Sequence, residues 1–165
     1  PQMGENIGAV ARAMANFGLS ELRLVAPRDG WPNERAREVS SGAGHILDAA
    51  GLYPDIPSAL ADIHTAYATT ARGRDISKRV VTPEEAMQEI LARHTSESWY
   101  PESKEKLDSG FRRNDEVSER TALMFGPERT GLENEELILA DTLVTIPTDT
   151  QNYSLNLSQA AVILA

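Results

Sequence analysis

The chain contains no cysteine, which excludes disulfides and thiolate metal sites together and is compatible with a reducing cytosol. Long apolar runs are missing as well. The longest is Ala160–Ala165, far short of the roughly 20 residues a helix needs to cross a bilayer. No charged-then-apolar leader opens the chain. It begins at Pro1 without an initiator Met and stops inside an apolar run, so it is expected to be a fragment. No G-x-x-x-x-G-K-[ST] occurs, and no strand runs into a G-x-G-x-x-G, so the phosphate-loop and dinucleotide fingerprints are absent. His45, His64 and His94 lack metal-ligand spacing, so they read as structural or surface residues and no metal is expected. No Ser/His/Asp order suggests a hydrolase.

An excess of positive charge is the last absence. The formal net charge is -9, which taken whole argues against a nucleic-acid partner. The distribution weakens that objection. Residues 1–80 hold nine Lys/Arg and nine Asp/Glu, whereas residues 121–165 hold one base and six acids. The surplus acid thus lies in the second half. Arg12, Arg23, Arg28, Arg35, Arg37, Arg72, Arg74, Lys78 and Arg79 can form a basic face or a solvated surface of mixed charge.

A chain of 165 residues, 41% hydrophobic and 25% charged, fits one globular domain with a real core. Ile7, Val10, Ala11, Met14 and Phe17 recur at helical spacing, with Asn6 placed to cap that helix and Gly18 to end it. A short strand at Leu22–Val25 stops at Pro27. Residues 31–50 are helical in patches, broken near Gly42 and Gly44, and Ser58–Ile63 reads as a short helix. Ala66–Thr70 reads as a strand that ends in the turn Arg72-Gly73-Arg74. Thr82-Pro83-Glu84-Glu85 is a strong helix start, the helix reaching about Arg93. Residues 95–120 are polar and aperiodic and read as an insertion. They are expected to be dispensable, with RNA contact through Lys104, Lys106, Arg112 and Arg113 as the alternative. Strands follow at Thr121–Phe125 and Leu143–Ile146, with a helix at Glu133–Ala140 between them. Alternating strands and helices imply an α/β fold with a mainly parallel sheet covered by helices.

Two turns stand where apolar strands should end. Gly126-Pro127-Glu128-Arg129-Thr130-Gly131 serves equally as a tight strand-to-helix turn, but turning requires neither Glu128 nor Arg129. In Tyr153-Ser154-Leu155-Asn156, Ser154 or Asn156 can cap the final helix, or both can aim into a pocket. Two such strand ends side by side form the crevice in which α/β proteins hold ligands. Arg12 sits among small residues (Ala9, Ala11, Ala13, Ala15), where it is either a surface charge or a group that a ligand can approach.

Three segments in this order resemble the motifs of the TrmH/SpoU branch of SPOUT RNA methyltransferases. They are Asn6-Ile7-Gly8-Ala9-Val10-Ala11-Arg12-Ala13-Met14, then Phe125 through Leu132, then Ile146-Pro147 with Ser154-Leu155-Asn156-Leu157-Ser158. Asn152 through Leu157 and Thr69-Thr70-Ala71-Arg72 are most similar to the TrmJ-type enzymes. The resemblance implies a single SPOUT domain over residues 1–165 with a deep C-terminal trefoil knot, lacking the family's first strand. It implies S-adenosyl-L-methionine as cofactor, touched by Thr69, Thr70, Ala71, Gly126, Ile146, Tyr153, Ser154 and Leu155. It further implies 2′-O-ribose methylation of tRNA at a cytidine or uridine, nucleotide 32 of the anticodon loop. Arg12 would orient the hydroxyl and stabilise charge on its oxygen, with Asn6, Glu128, Ser154 and Asn156 holding it and the ribose. Also implied are a cytoplasmic homodimer with a composite active site, tRNA or another structured RNA as partner, no membrane and no metal. Alternatives from the residues are a relative acting on rRNA or another tRNA loop, a catalytically silent RNA-binding relative, or a plain ligand-binding α/β module.

Overall fold

The computed structural model describes residues 2–71, 77–96, 119–149, 151 and 154–165. Most of the expected insertion at 95–120, the turn Arg72-Gly73-Arg74, and Asn152 and Tyr153 lie outside the described residues.

The chain opens with helix α1 (Gly4–Asn16), which buries Ile7, Val10, Ala11 and Ala13. It packs on α2 (Glu34–Val39) so closely that a Cβ built on Gly8 would sit 2.1 Å from the Ala36 carbonyl oxygen. Strand β1 (Arg23–Val25) follows α1, and α3 (Gly44–Asp48) follows α2. Ile7, Ala11, Leu24, Ala36, Ile46 and Leu47 form one apolar cluster among these elements. β1 pairs in parallel with β2 (Gly51–Tyr53). Next comes α4 (Ile56–Ala59), capped by Asp55 accepting from the Ser58 amide at 2.8 Å.

Strand β3 (Thr65–Thr69) is buried over its first four residues, as expected of a central parallel strand covered on both faces. β4 (Val80–Val81) and α5 (Pro83–Ser96) precede β5 (Thr121–Met124), α6 (Asn134–Leu137), β6 (Thr142–Val144) and α7 (Leu157–Ile163). The second sheet has the order β4-β6-β3-β5, and every pairing in it is parallel. Side-chain alternation along β3 splits the core between the two faces. Ala66 and Ala68 join Met124, Leu137 and Leu143 in one cluster, while Tyr67 joins Val81, Ala86, Val144 and Leu164 in the other. The fold is therefore α/β with parallel sheets and covering helices.

Four charges brace the start of β1 against the start of β5. Arg23 reaches Asp62 at 2.5 Å and also pairs with Glu21, and Arg120 contacts both carboxylates. The bonds from Arg23 oppose the upward pull of desolvation and hold the Asp62 carboxyl below its usual range.

Several local expectations are corrected. Asn6 does not cap α1: the helix begins at Gly4 with an extended Met3 before it, and no side chain caps it. The short helix expected at Ser58–Ile63 lies earlier, at Ile56–Ala59. The helix expected at Glu133–Ala140 covers only Asn134–Leu137, with Lys78 donating to the carbonyl of Ile138 at 2.7 Å and to that of Ala140 beyond its end. The start at Thr82 is as expected, with the Thr82 amide donating to Glu85 at 2.8 Å and the Glu85 amide to the Thr82 hydroxyl at 3.3 Å. His64 has a structural part, its Nδ1 accepting from the Arg120 amide at 3.1 Å.

Candidate functional site

β5 and β6 are not neighbours, contrary to the side-by-side arrangement expected from the two turns, because β3 runs between them. The crevice therefore lies across three strand ends instead of two. A cleft with a cavity of about 140 Å³, opening into a wider mouth, lies there. Thr69, Thr70 and Ala71 line it from the end of β3, Gly126 and Glu128 from the turn after β5, and Ile146, Ser154 and Leu155 from the chain after β6. Tyr153, expected beside them, lies outside the described residues.

The turn after β5 is held in shape from within. Gly131 has φ +67°, and its amide donates to the Pro127 carbonyl at 2.8 Å. A Cβ on Gly126 would lie 2.2 Å from the Leu132 nitrogen, so no side chain fits there. Thr69 donates its hydroxyl to the Met124 carbonyl at 3.0 Å, tying the ends of β3 and β5 together. Half-buried Ile146 and Leu155 offer apolar surface, while the turns bring backbone polar groups to the same space. Apolar flanks beside backbone donors and acceptors suit a ligand with a flat heterocycle and polar ends.

A hydrogen-bonded chain joins the three motif segments beside the cleft. Asn156 donates from Nδ2 to Asn6 Oδ1 at 3.2 Å, and Asn6 donates from Nδ2 to Glu128 Oε1 at 2.9 Å. Glu128 also accepts from the backbone amides of Gln2 at 2.8 Å and Met3 at 3.3 Å. Partial burial pushes the Glu128 pKa up, but the donation from Asn6 and from backbone amides outweighs it and brings the net value below the ordinary one. Glu128 is thus an ionised carboxylate already committed to three donors. Asn156 Oδ1 caps α7 through the Ser158 amide at 2.9 Å, so both of its possible roles, cap and site residue, are present geometrically.

Arg12 stands apart. It is exposed on α1 and does not line the cleft of its own chain. Six positions separate it from Asn6, which at 3.6 residues per turn places the two side chains about 120° apart around the helix. Arg129, Thr130, Leu157 and Ala160 line the cleft without having been singled out as cofactor contacts. Arg129 had a signal in the sequence, being the one base in residues 121–165. Among the described residues no three His, Cys, Asp or Glu gather as a metal-ligand group.

The sequence profile of the SpoU rRNA Methylase family matches residues 1–165. The chain is 35% identical to the tRNA (cytidine-2′-O-)-methyltransferase TrmJ of Methanocaldococcus jannaschii, over 99% of this chain and 62% of that protein. It is 38% identical to the tRNA (cytidine/uridine/adenosine-2′-O-)-methyltransferase TrmJ of Pseudomonas aeruginosa, over 96% of this chain and 53% of that one. The crystal structure of TrmJ from Z. mobilis ZM4 superposes with a TM-score of 0.80 at 43% identity, covering 99% of this chain and 63% of that chain. The chain thus spans a little over half the length of these two curated relatives.

Proposed function

The chain belongs to the SpoU rRNA Methylase family, and from that premise we propose that it methylates a ribose 2′-hydroxyl in RNA with S-adenosyl-L-methionine as donor. The substrate we propose is tRNA, at a cytidine or uridine, nucleotide 32 of the anticodon loop, and the compartment is the cytoplasm. One observation carries this reading: the second and third motif segments line a single cleft at the ends of β3, β5 and β6, and Asn6 of the first is hydrogen-bonded to both beside it.

Thr69, Thr70, Ala71, Gly126, Ile146, Tyr153, Ser154 and Leu155 would hold the donor, in the part of the fold where the family's trefoil knot is expected. Ile146 and Leu155 would flank its adenine ring, and backbone amides and carbonyls would read the ring edge. When bound, the donor supplies a sulfonium methyl open to in-line displacement. Everything else falls to this chain. A guanidinium effectively never deprotonates, so Arg12 orients the 2′-hydroxyl and stabilises the negative charge developing on its oxygen. Asn6, Glu128 and Asn156 position that encounter by locking the opening helix to the turn and to the start of α7, and Ser154 supplies a hydroxyl at the cleft.

Arg12 does not line the cleft that Asn6 serves, so we propose that it completes the cleft of a second copy in a homodimer. Exposed Val162 and Ile163 on α7, with Phe17 and Leu19 beyond α1, give apolar surface for such a contact. The test is incubation with labelled donor and total tRNA, followed by nucleoside mapping. Label in 2′-O-methylcytidine or 2′-O-methyluridine from the anticodon loop supports the proposal. Label confined to rRNA under matched conditions would redirect the substrate, and no label in either RNA would overturn the activity.

A further inference from the structure

Among the described residues, Arg129 and Arg12 are the two arginines that pair with no carboxylate, and Arg129 is the one of them at the cleft. The 45 residues that close the chain hold six acids, and Arg129 is their one base. It follows Glu128 directly, is exposed, and lines the cleft. Arg23, Arg28, Arg35, Arg37, Arg79, Arg93 and Arg120 each pair with a carboxylate. Arg129 pairs with none among the described residues. The turn does not need it either: Gly131 supplies the left-handed residue, the Gly131 amide closes the turn on Pro127, and Glu133 with Glu136 caps α6. A cation held unpaired at a cleft, in the acidic half of the chain, suits an anion that arrives from outside.

Arg28, on the loop after β1, carries a second exposed guanidinium, its pKa raised first by the bond to Asp29 and further by the charge of Glu128. Its own pair is with its neighbour Asp29 at 2.7 Å, with side-chain exposures of 58% and 45%. Exposed pairs of this kind are weak, so a phosphate can take over the guanidinium.

Building on the methyltransferase reading above, we propose that Arg129, aided by Arg28, grips the phosphate backbone of RNA at the cleft mouth and so sets which ribose lies over the cleft. Contacts to phosphates fix register and orientation in protein–nucleic acid complexes. The competing anion is the carboxylate of the donor itself. RNA is favoured because Arg129 is exposed and because Arg28, a second exposed cation, lies outside the cleft lining.

The test measures dissociation constants for a tRNA transcript across a salt series, and for S-adenosyl-L-methionine by calorimetry. The proteins are the unaltered chain, Arg129→Ala, Arg129→Lys and Arg28→Ala, with melting curves confirming that each is folded. Arg129→Ala is expected to raise the RNA Kd roughly tenfold and to lower the salt slope by about 0.7–0.9, the loss of one phosphate contact. Its donor Kd should stay within about twofold. Arg129→Lys should recover most of the RNA affinity, because a phosphate accepts a point charge. Arg28→Ala should weaken RNA binding by roughly threefold. A raised donor Kd with an unchanged RNA Kd would overturn the proposal and hand Arg129 to the donor's carboxylate. Absence of RNA methylation by the unaltered chain would overturn the proposed function and this inference with it. Normal methylation together with an unchanged RNA Kd and slope in Arg129→Ala would overturn this inference alone.

Discussion

Glu128 and Arg12 are the two charged residues whose surroundings say most about the site, and they say different things. Glu128 accepts from Asn6 and from two backbone amides, and its pKa is lowered, so it is a poor proton acceptor and a good anchor. A carboxyl whose folded-state pKa lies below its ordinary 4.5 adds stability that is complete above that value. That stability is lost as pH falls through the lower folded-state pKa. The melting temperatures of the unaltered protein and Glu128→Gln should therefore differ by a constant amount near neutrality, and the gap should close only under acid below the ordinary range. A gap that closes between pH 6 and 8, on the order of the histidine range, would show that another group carries the effect. Arg12 is exposed, and the described cleft makes no use of it. Arg12→Ala should lower kcat at least about 100-fold, the scale of losing one donor to a developing oxyanion. Donor affinity measured by calorimetry should hold, and near-normal turnover would remove Arg12 from the chemistry.

At the scale of elements, α1 connects the core to the site. Its Gly8 lies against the Ala36 carbonyl, so Gly8→Ala must push α1 off α2. Overpacking of this kind costs about 1–3 kcal/mol, to be read from chemical denaturation, and an unchanged midpoint would contradict the close approach. The tie between β1 and β5 is testable too: Asp62→Ala leaves Arg23 and Arg120 sharing Glu21 alone, and the melting temperature should fall, more at low salt than at high. Helix α1 and the start of α5 could be read from the sequence because apolar spacing and capping residues lie within a few positions of one another. Strands β2 and β4 could not, since Gly51–Tyr53 and Val80–Val81 are too short to display alternation. Asn6 misled for a related reason: before an apolar helix an asparagine looks like a cap, and its partner Glu128 is 122 positions away. The cleft-lining segments were visible as glycine and polar turns after strands. The insertion of β3 between β5 and β6 was not, because strand order is set by tertiary packing.

Over the whole molecule, residues 1–80 balance nine bases with nine acids, whereas residues 81–165 hold seven bases against sixteen acids. The cleft is built mainly from the second half and lacks Arg12. The proposed homodimer would bring the opening helix of one copy to the cleft of the other, in a two-fold arrangement that builds two equivalent sites. Mixing subunits tests this most directly. Arg12→Ala removes the arginine, and Gly126→Val removes the cleft by placing a side chain 2.2 Å from the Leu132 nitrogen. Each variant alone should be inactive in RNA methylation. Co-refolded in equal amounts, they should regain about a quarter of normal activity, because half the dimers are mixed and each mixed dimer holds one intact site. A mixture as inactive as its components would contradict the account and return Arg12 to its own chain or to the surface.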